Sequence, residues 1–196
     1  MKNKKYSEIV CVVDRSGSMG AIVNDAIGGF NTFLKEQKKV KGEATLTYAQ
    51  FDTEYEIVHE NKPIKKVPDL TDKTYQPRGG TALLDAVGKT INEVANRIDG
   101  FKKAQKPSKV IFAILTDGEE NSSREFKREQ IMEMIKDKKE KSKWEFIFLA
   151  ANQDAIQAGM SMGIQAKDSF NFHATKQGVR SGYGVMSNCV TSYRGQ

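Results

Sequence analysis

The chain is poor in the residues that build crosslinked or segmented proteins. Only two cysteines, Cys11 and Cys189, occur in 196 residues, whereas a secreted domain of this size more often carries several paired ones. Both are read as reduced core thiols, with a disulfide as the lesser alternative. Proline occurs four times, and no Pro/Ser-rich linker, internal repeat or low-complexity segment divides the sequence. One domain spanning residues 1–196 is therefore expected. No apolar run approaches membrane-spanning length, and the basic start Met1-Lys2-Asn3-Lys4-Lys5 lacks the apolar stretch of a signal peptide. A soluble, cytoplasmic protein with no membrane contact is expected. The only histidines, His59 and His173, stand apart from the candidate ligands below, which disfavours zinc.

Charge is in excess on the positive side, with 31 Lys and Arg against 25 Asp and Glu, a net +6. Its distribution says more than its sum. Lysines cluster at Lys35 to Lys41, Lys102 to Lys109 and Lys136 to Lys143, each after a helical stretch and before a strand. Cations at helix C-termini complement the helix dipole. Aromatic residues are not interleaved with these lysines, so a nucleic-acid groove is the weaker reading.

The run Ile9-Val10-Cys11-Val12-Val13 has no polar alternation and reads as a strand buried on both faces, as in a parallel sheet. Ile22, Ala26, Ile27, Phe30, Phe33 and Leu34 follow at helical spacing up to about Lys38. Ala44 to Phe51 and Tyr55 to Glu60 read as strands, and the short turn between them forces an antiparallel hairpin. Leu83 to Ile98 gives a helix, Val110 to Leu115 a buried strand and Arg124 to about Lys139 another helix. Trp144 to Ala150, a short helix from Ala155 to Met162, a strand at Ser169 to Phe172 and a glycine-weakened helix from Val179 to Tyr193 complete the chain. Strands alternating with helices predict a doubly wound, Rossmann-like α/β fold: a mostly parallel sheet with one antiparallel edge strand and helices on both faces.

In such sheets ligands bind outside the carboxyl ends of the strands. Asp14-Arg15-Ser16-Gly17-Ser18 follows the first strand there, Thr81 opens a helix after Gly79-Gly80, and Asp117 follows the fourth strand within Leu115-Thr116-Asp117-Gly118. Asp14, Ser16, Ser18, Thr81 and Asp117 offer only hard oxygen donors, which suits magnesium, with Mn2+ or Ca2+ as substitutes. Taken singly, each has a plainer reading as a helix cap or turn residue. Jointly, across three segments, they point to a metal site.

This set resembles the von Willebrand factor A (vWA) family and its metal-ion-dependent adhesion site, whose pattern is Asp-x-Ser-x-Ser, a distant Thr and a distant Asp. The resemblance implies that Ser16 and Ser18 bind the metal directly, while Thr81, Asp14 and Asp117 bind directly or through water. It further implies a protein partner that supplies an Asp or Glu carboxylate to the open metal position, and a free-standing member of bacterial or bacteriophage type. The function expected is a magnesium-dependent protein-binding adaptor, and not an enzyme. A phosphatase with Asp14 as nucleophile would want an acid where Ser16 stands, and no phosphate-binding loop or Gly-x-Ser-x-Gly elbow occurs. Self-assembly into a homo-oligomer through the metal, and nucleic-acid binding at the lysine-rich edge, are the alternatives. Arg15, Met19, Glu119, Glu120, Asn121, Asn152, Gln153 and Asp154 are expected to rim the site, Arg15 as a cation favouring an acidic partner.

Overall fold

The structure is a computed structural model that describes residues 6–151 and 154–195. Six strands, β1 (Tyr6–Asp14), β2 (Glu43–Phe51), β3 (Tyr55–Pro63), β4 (Lys109–Thr116), β5 (Glu145–Ala150) and β6 (Ser169–Asn171), form one sheet in the order β3-β2-β1-β4-β5-β6. Every neighbouring pair is parallel except β2 with β3. The two-sided burial expected of β1 is observed, with Ile9 to Val13 all at most 1% exposed.

Alternation along these strands divides the core into two layers. Ile9, Cys11 and Val13 of β1, with Ile111, Ala113 and Leu115 of β4, face the helices α1 (Val23–Gln37) and α5 (Lys176–Gly195). Val10, Val12, Phe112 and Ile114 face α2 (Leu83–Asp99), α3 (Arg128–Ser142) and the short α4 (Ala155–Ser161). The architecture is thus the doubly wound α/β fold with one antiparallel edge strand. No helix among the described residues is long and apolar enough to cross a membrane.

Several boundaries differ from the sequence expectation for identifiable reasons. A 3-10 stretch, Gly17–Ile22, precedes α1, so the ligand loop passes through a tighter turn before the helix begins. α3 starts at Arg128, not Arg124, because the Asp85 carboxylate accepts the backbone N–H groups of Arg124, Glu125 and Phe126 at 2.8–2.9 Å and holds that segment as a turn against α2. β3 runs on to Pro63 through register shifts. β6 ends at Asn171, although the Phe172 N–H still reaches the Ala150 carbonyl at 3.0 Å. α5 forms despite its glycines, since α1 holds it through Gln37 with Ser187 and Thr191 and through Asp25 with Arg180. Both cysteines are free thiols, Cys11 buried and Cys189 only half-buried, not a core position.

Candidate metal centre

Strand register sets the site. Val13 of β1 stands opposite Leu115 of β4, so Asp14 and the Thr116–Asp117 pair emerge side by side at the carboxyl edge. The Asp14 side chain is fully buried. Its Oδ1 accepts the Ser16 N–H at 2.6 Å and its Oδ2 the Thr116 hydroxyl at 2.6 Å, while the Tyr75 hydroxyl donates to its backbone carbonyl. The Asp14–Ser16 bond is a local turn that bends the chain away from the strand. It brings the hydroxyls of Ser16 and Ser18 to 3.1 Å from each other, and the Ser18 hydroxyl donates to Asp117 Oδ1 at 2.7 Å.

Thr81 arrives from the third segment. Its N–H donates to Asn121 Oδ1 at 2.9 Å, and its carbonyl accepts the N–H groups of Asn121 and Ser122. A Cβ built on Gly118 would lie 3.6 Å from Thr81 Oγ1 and 3.9 Å from Ser18 Oγ, so both hydroxyls face the turn after Asp117. Gly79 takes φ +65°, a left-handed conformation suited to glycine, and its carbonyl accepts the Gly17 N–H at 3.1 Å. The fold therefore gathers Asp14, Ser16, Ser18, Thr81 and Asp117 at one edge.

The electrostatics of this cluster suit a hard cation. Burial, the largest cause, pushes the Asp14 carboxyl up to about 6, against the opposing effect of its Thr116 and Ser16 hydrogen bonds. Burial also raises the Asp117 carboxyl. No lysine or arginine among the described residues forms an ion pair with Asp14, and a buried carboxylate without a countercharge is costly. Among the described residues no group of three or more His, Cys, Asp or Glu side chains is placed to hold a metal. The donor set is instead two carboxylates and three neutral hydroxyls, a combination that fits magnesium or manganese and not a soft metal.

Two rim expectations fail. Arg15 is 6% exposed and turned away from the cluster, with Nε 2.7 Å from Asp52 Oδ2 and Nη1 2.8 Å from Glu56 Oε2. Met19 is fully buried in the core. Glu120 is tied down, accepting from Leu84 N–H, Ser122 N–H and Ser123, while Glu119 and Asn121 are exposed at the edge. Asp154 caps α4 by accepting the N–H groups of Ile156 and Gln157. Asn152 and Gln153 lie outside the described residues.

The sequence reading missed the supports. Asp52 accepts from both Arg15 and Arg78, and Arg78 N–H donates to the Arg15 carbonyl at 2.8 Å, which clamps the loop after β1 to the loop bearing Thr81. Thr116 was visible within the motif, but its bond to Asp14 follows only from pairing β1 with β4.

No protein-family model matches the chain, and no curated protein matches it in sequence. Solved structures do match in shape. The vWF domain of the type V pili tip protein Mfa5 from Porphyromonas gingivalis superposes with a TM-score of 0.67 at 11% identity, covering 97% of each chain. Proximal thread matrix protein 1 from the mussel byssus, in a structure with a zinc-occupied MIDAS motif, gives 0.63 at 13% identity over 96% of this chain and 46% of that one. Manganese-loaded TRAP protein from Plasmodium vivax gives 0.58 at 15% identity, covering 92% of this chain and 72% of that one. The chain thus spans about half the length of the mussel protein. At these identities the likeness speaks for architecture alone, and the architecture is that of the von Willebrand factor A domains.

Proposed function

We propose that the chain is a magnesium-dependent protein-binding module of the vWA type, engaging an acidic residue of its partner through a metal held by Asp14, Ser16, Ser18, Thr81 and Asp117. The observation that carries this reading is the convergence of those five side chains, three of them neutral hydroxyls, from three distant segments onto one edge. A bound cation would supply a Lewis-acidic position open to an anionic oxygen from another molecule. The chain's own residues do the rest. Thr116 and the Ser16 N–H fix the Asp14 carboxylate, Asn121 fixes Thr81, and the Asp52–Arg15–Arg78 clamp holds the two loops in register. The metal-containing structures of the mussel protein and of TRAP, which share the fold, support a divalent cation at this edge.

This reading makes the module an adaptor and not an enzyme, because Ser16 stands where a phosphatase using Asp14 would need its acid. We further propose a cytoplasmic, single-domain protein of bacterial or bacteriophage type, the compartment supported by its two free cysteines.

The test is affinity capture from native cell extract by wild type, Ser16→Ala and Asp117→Ala, each with magnesium and with a chelator. A protein held only by wild type with magnesium is the expected outcome. Equal capture by all three forms in chelator would sink the reading. Steep salt dependence without magnesium dependence would move the function to the lysine-rich edge.

A further inference from the structure

Three large apolar side chains stand out on the described surface: Met132 and Ile156, each 42% exposed, and Met160, 58% exposed. They are neighbours. Ile156 and Met160 are four residues apart on α4 and share one helix face. Met132 of α3 reaches the end of that face, where a Cβ on Gly163 would lie 3.4 Å from Met132 Cγ and the Gly163 N–H bonds the Met160 carbonyl. Arg128 Nη1 donates to Ser161 Oγ at 2.7 Å and ties the two helices together. α4 buries its small residues, Ala155 and Gly159, against the sheet, which leaves its bulky ones turned outward. A soluble helix normally does the reverse, and clustered exposed apolar side chains mark an interaction surface.

The patch runs into the metal edge. A cavity of about 320 Å3 lined by Glu119, Glu120, Arg128, Asp154, Gln157 and Ser161 lies between them. Glu119 follows Asp117 by two residues, and Asp154 and Met160 are about 9 Å apart along α4 at 1.5 Å per residue. Arg128, half-exposed in this cavity, bonds Ser161 and forms no ion pair with a carboxylate among the described residues. Glu119, Glu120 and Asp154 outnumber it there, so the cavity favours a segment that carries no further acidic residue between the metal edge and the apolar face.

We propose that the Met132–Ile156–Met160 face is the specificity subsite of the metal-dependent contact. It takes an apolar side chain from the same partner segment whose carboxylate enters the metal site, with no further acidic residue in the stretch between. This inference rests on the metal-site reading above. The partner is a protein segment that pairs Asp or Glu with a large apolar residue a short, fixed distance away. Methionines suit such a subsite because their unbranched, polarisable side chains repack around different shapes.

The test is panning of a phage-displayed random peptide library on the full chain in magnesium, with elution by chelator. Wild type is expected to select peptides pairing an acidic with an apolar residue. A resynthesised peptide is expected to bind the Ile156→Lys/Met160→Lys variant about tenfold more weakly with its magnesium dependence kept. Replacing the peptide's apolar residue by alanine should cost wild type the same factor and the variant nothing further. In wild type, methyl-labelled Met132 and Met160 should shift on peptide addition while the buried Met162 and Met186 do not, a readout independent of how the variant folds. Unchanged peptide affinity in the variant, with unmoved Met132 and Met160 signals, overturns the subsite and leaves the metal reading standing. Binding that survives chelator or Asp117→Ala overturns the metal reading itself. A library that yields no magnesium-dependent binder, or self-association of wild type abolished in the variant, overturns the proposed occupant.

Discussion

Thr116 illustrates how a single hydroxyl holds a buried charge in place. It donates to Asp14 Oδ2 at 2.6 Å and accepts the Gly118 N–H at 3.3 Å, so it orients one carboxylate and the turn carrying the other. Thr116→Val keeps the side chain's size and removes both bonds. Loss of an orienting partner of this kind weakens metal affinity by about 10–100-fold, and leaving a buried acceptor unpaired costs about 1–3 kcal/mol of stability. Calorimetric titration with Mn2+ and urea unfolding would measure the two effects separately; unchanged Mn2+ affinity would remove Thr116 from any role at the site. Asp14, Ser16 and Ser18 were legible as candidates from their fixed short spacing, and Thr81 and Asp117 from the glycine turn and the strand end that precede them together with the family pattern. Thr116, Asn121, Tyr75 and Asp52 were not legible as supports, because each acts across a pairing that no local pattern encodes. The Thr116–Asp14 bond joins positions 102 residues apart. Arg15 was misplaced for the opposite reason: adjacency to Asp14 along the chain suggested adjacency in space, but its guanidinium serves Asp52 and Glu56.

At the scale of elements, the site depends on two loops pressed together, and Gly79 is where they touch. At φ +65° a Cβ would stand 2.6 Å from Thr53 Oγ1, so Gly79→Ala meets both a strained backbone, worth about 1–2 kcal/mol, and a collision. Relaxation would move the Gly79 carbonyl off the Gly17 N–H and part the Ser16–Ser18 loop from Thr81. Gly17→Ala is the control, since its Cβ would meet only the Gly79 carbonyl at 3.4 Å, an ordinary contact. The expected result is a loss of stability and of Mn2+ affinity for Gly79→Ala and near wild-type behaviour for Gly17→Ala. Equal effects in both would show that the loops are not held at Gly79. The same distinction between local and distant causes separates the elements that were legible from those that were not. β1 and β4 were plain as unbroken apolar runs, and the β2–β3 hairpin followed from its short turn. The late start of α3 was hidden because it is imposed by Asp85 on α2, and the full length of α5 because packing against α1 outweighs its glycines.

Across the whole molecule, most buried carboxylates among the described residues are matched by an arginine or by several backbone donors; Asp14 at the carboxyl edge is not, nor is Asp168, which accepts the Tyr193 hydroxyl. Glu8, fully buried near the opposite edge, is gripped by both terminal nitrogens of Arg97 and by Thr47. Asp52 has Arg15 and Arg78, Asp25 has Arg180, and Asp85 has three backbone N–H groups. Asp14 has the Thr116 hydroxyl, the Ser16 N–H and no arginine or lysine among the described residues. A cation bound there would bind the folded chain and find no assembled site in the unfolded one, so it must stabilise by mass action. At a free concentration 100 times its dissociation constant the gain is about 2.7 kcal/mol. For a chain of this size, at about 2–4 °C per kcal/mol, that raises the midpoint of thermal unfolding by about 5–10 °C. Magnesium or manganese should produce this rise in wild type, a chelator should reverse it, and Asp117→Ala should show none of it. A midpoint that ignores magnesium and manganese in wild type would mean that the buried carboxylate is tolerated without a metal, and would remove the cation from the account of this edge.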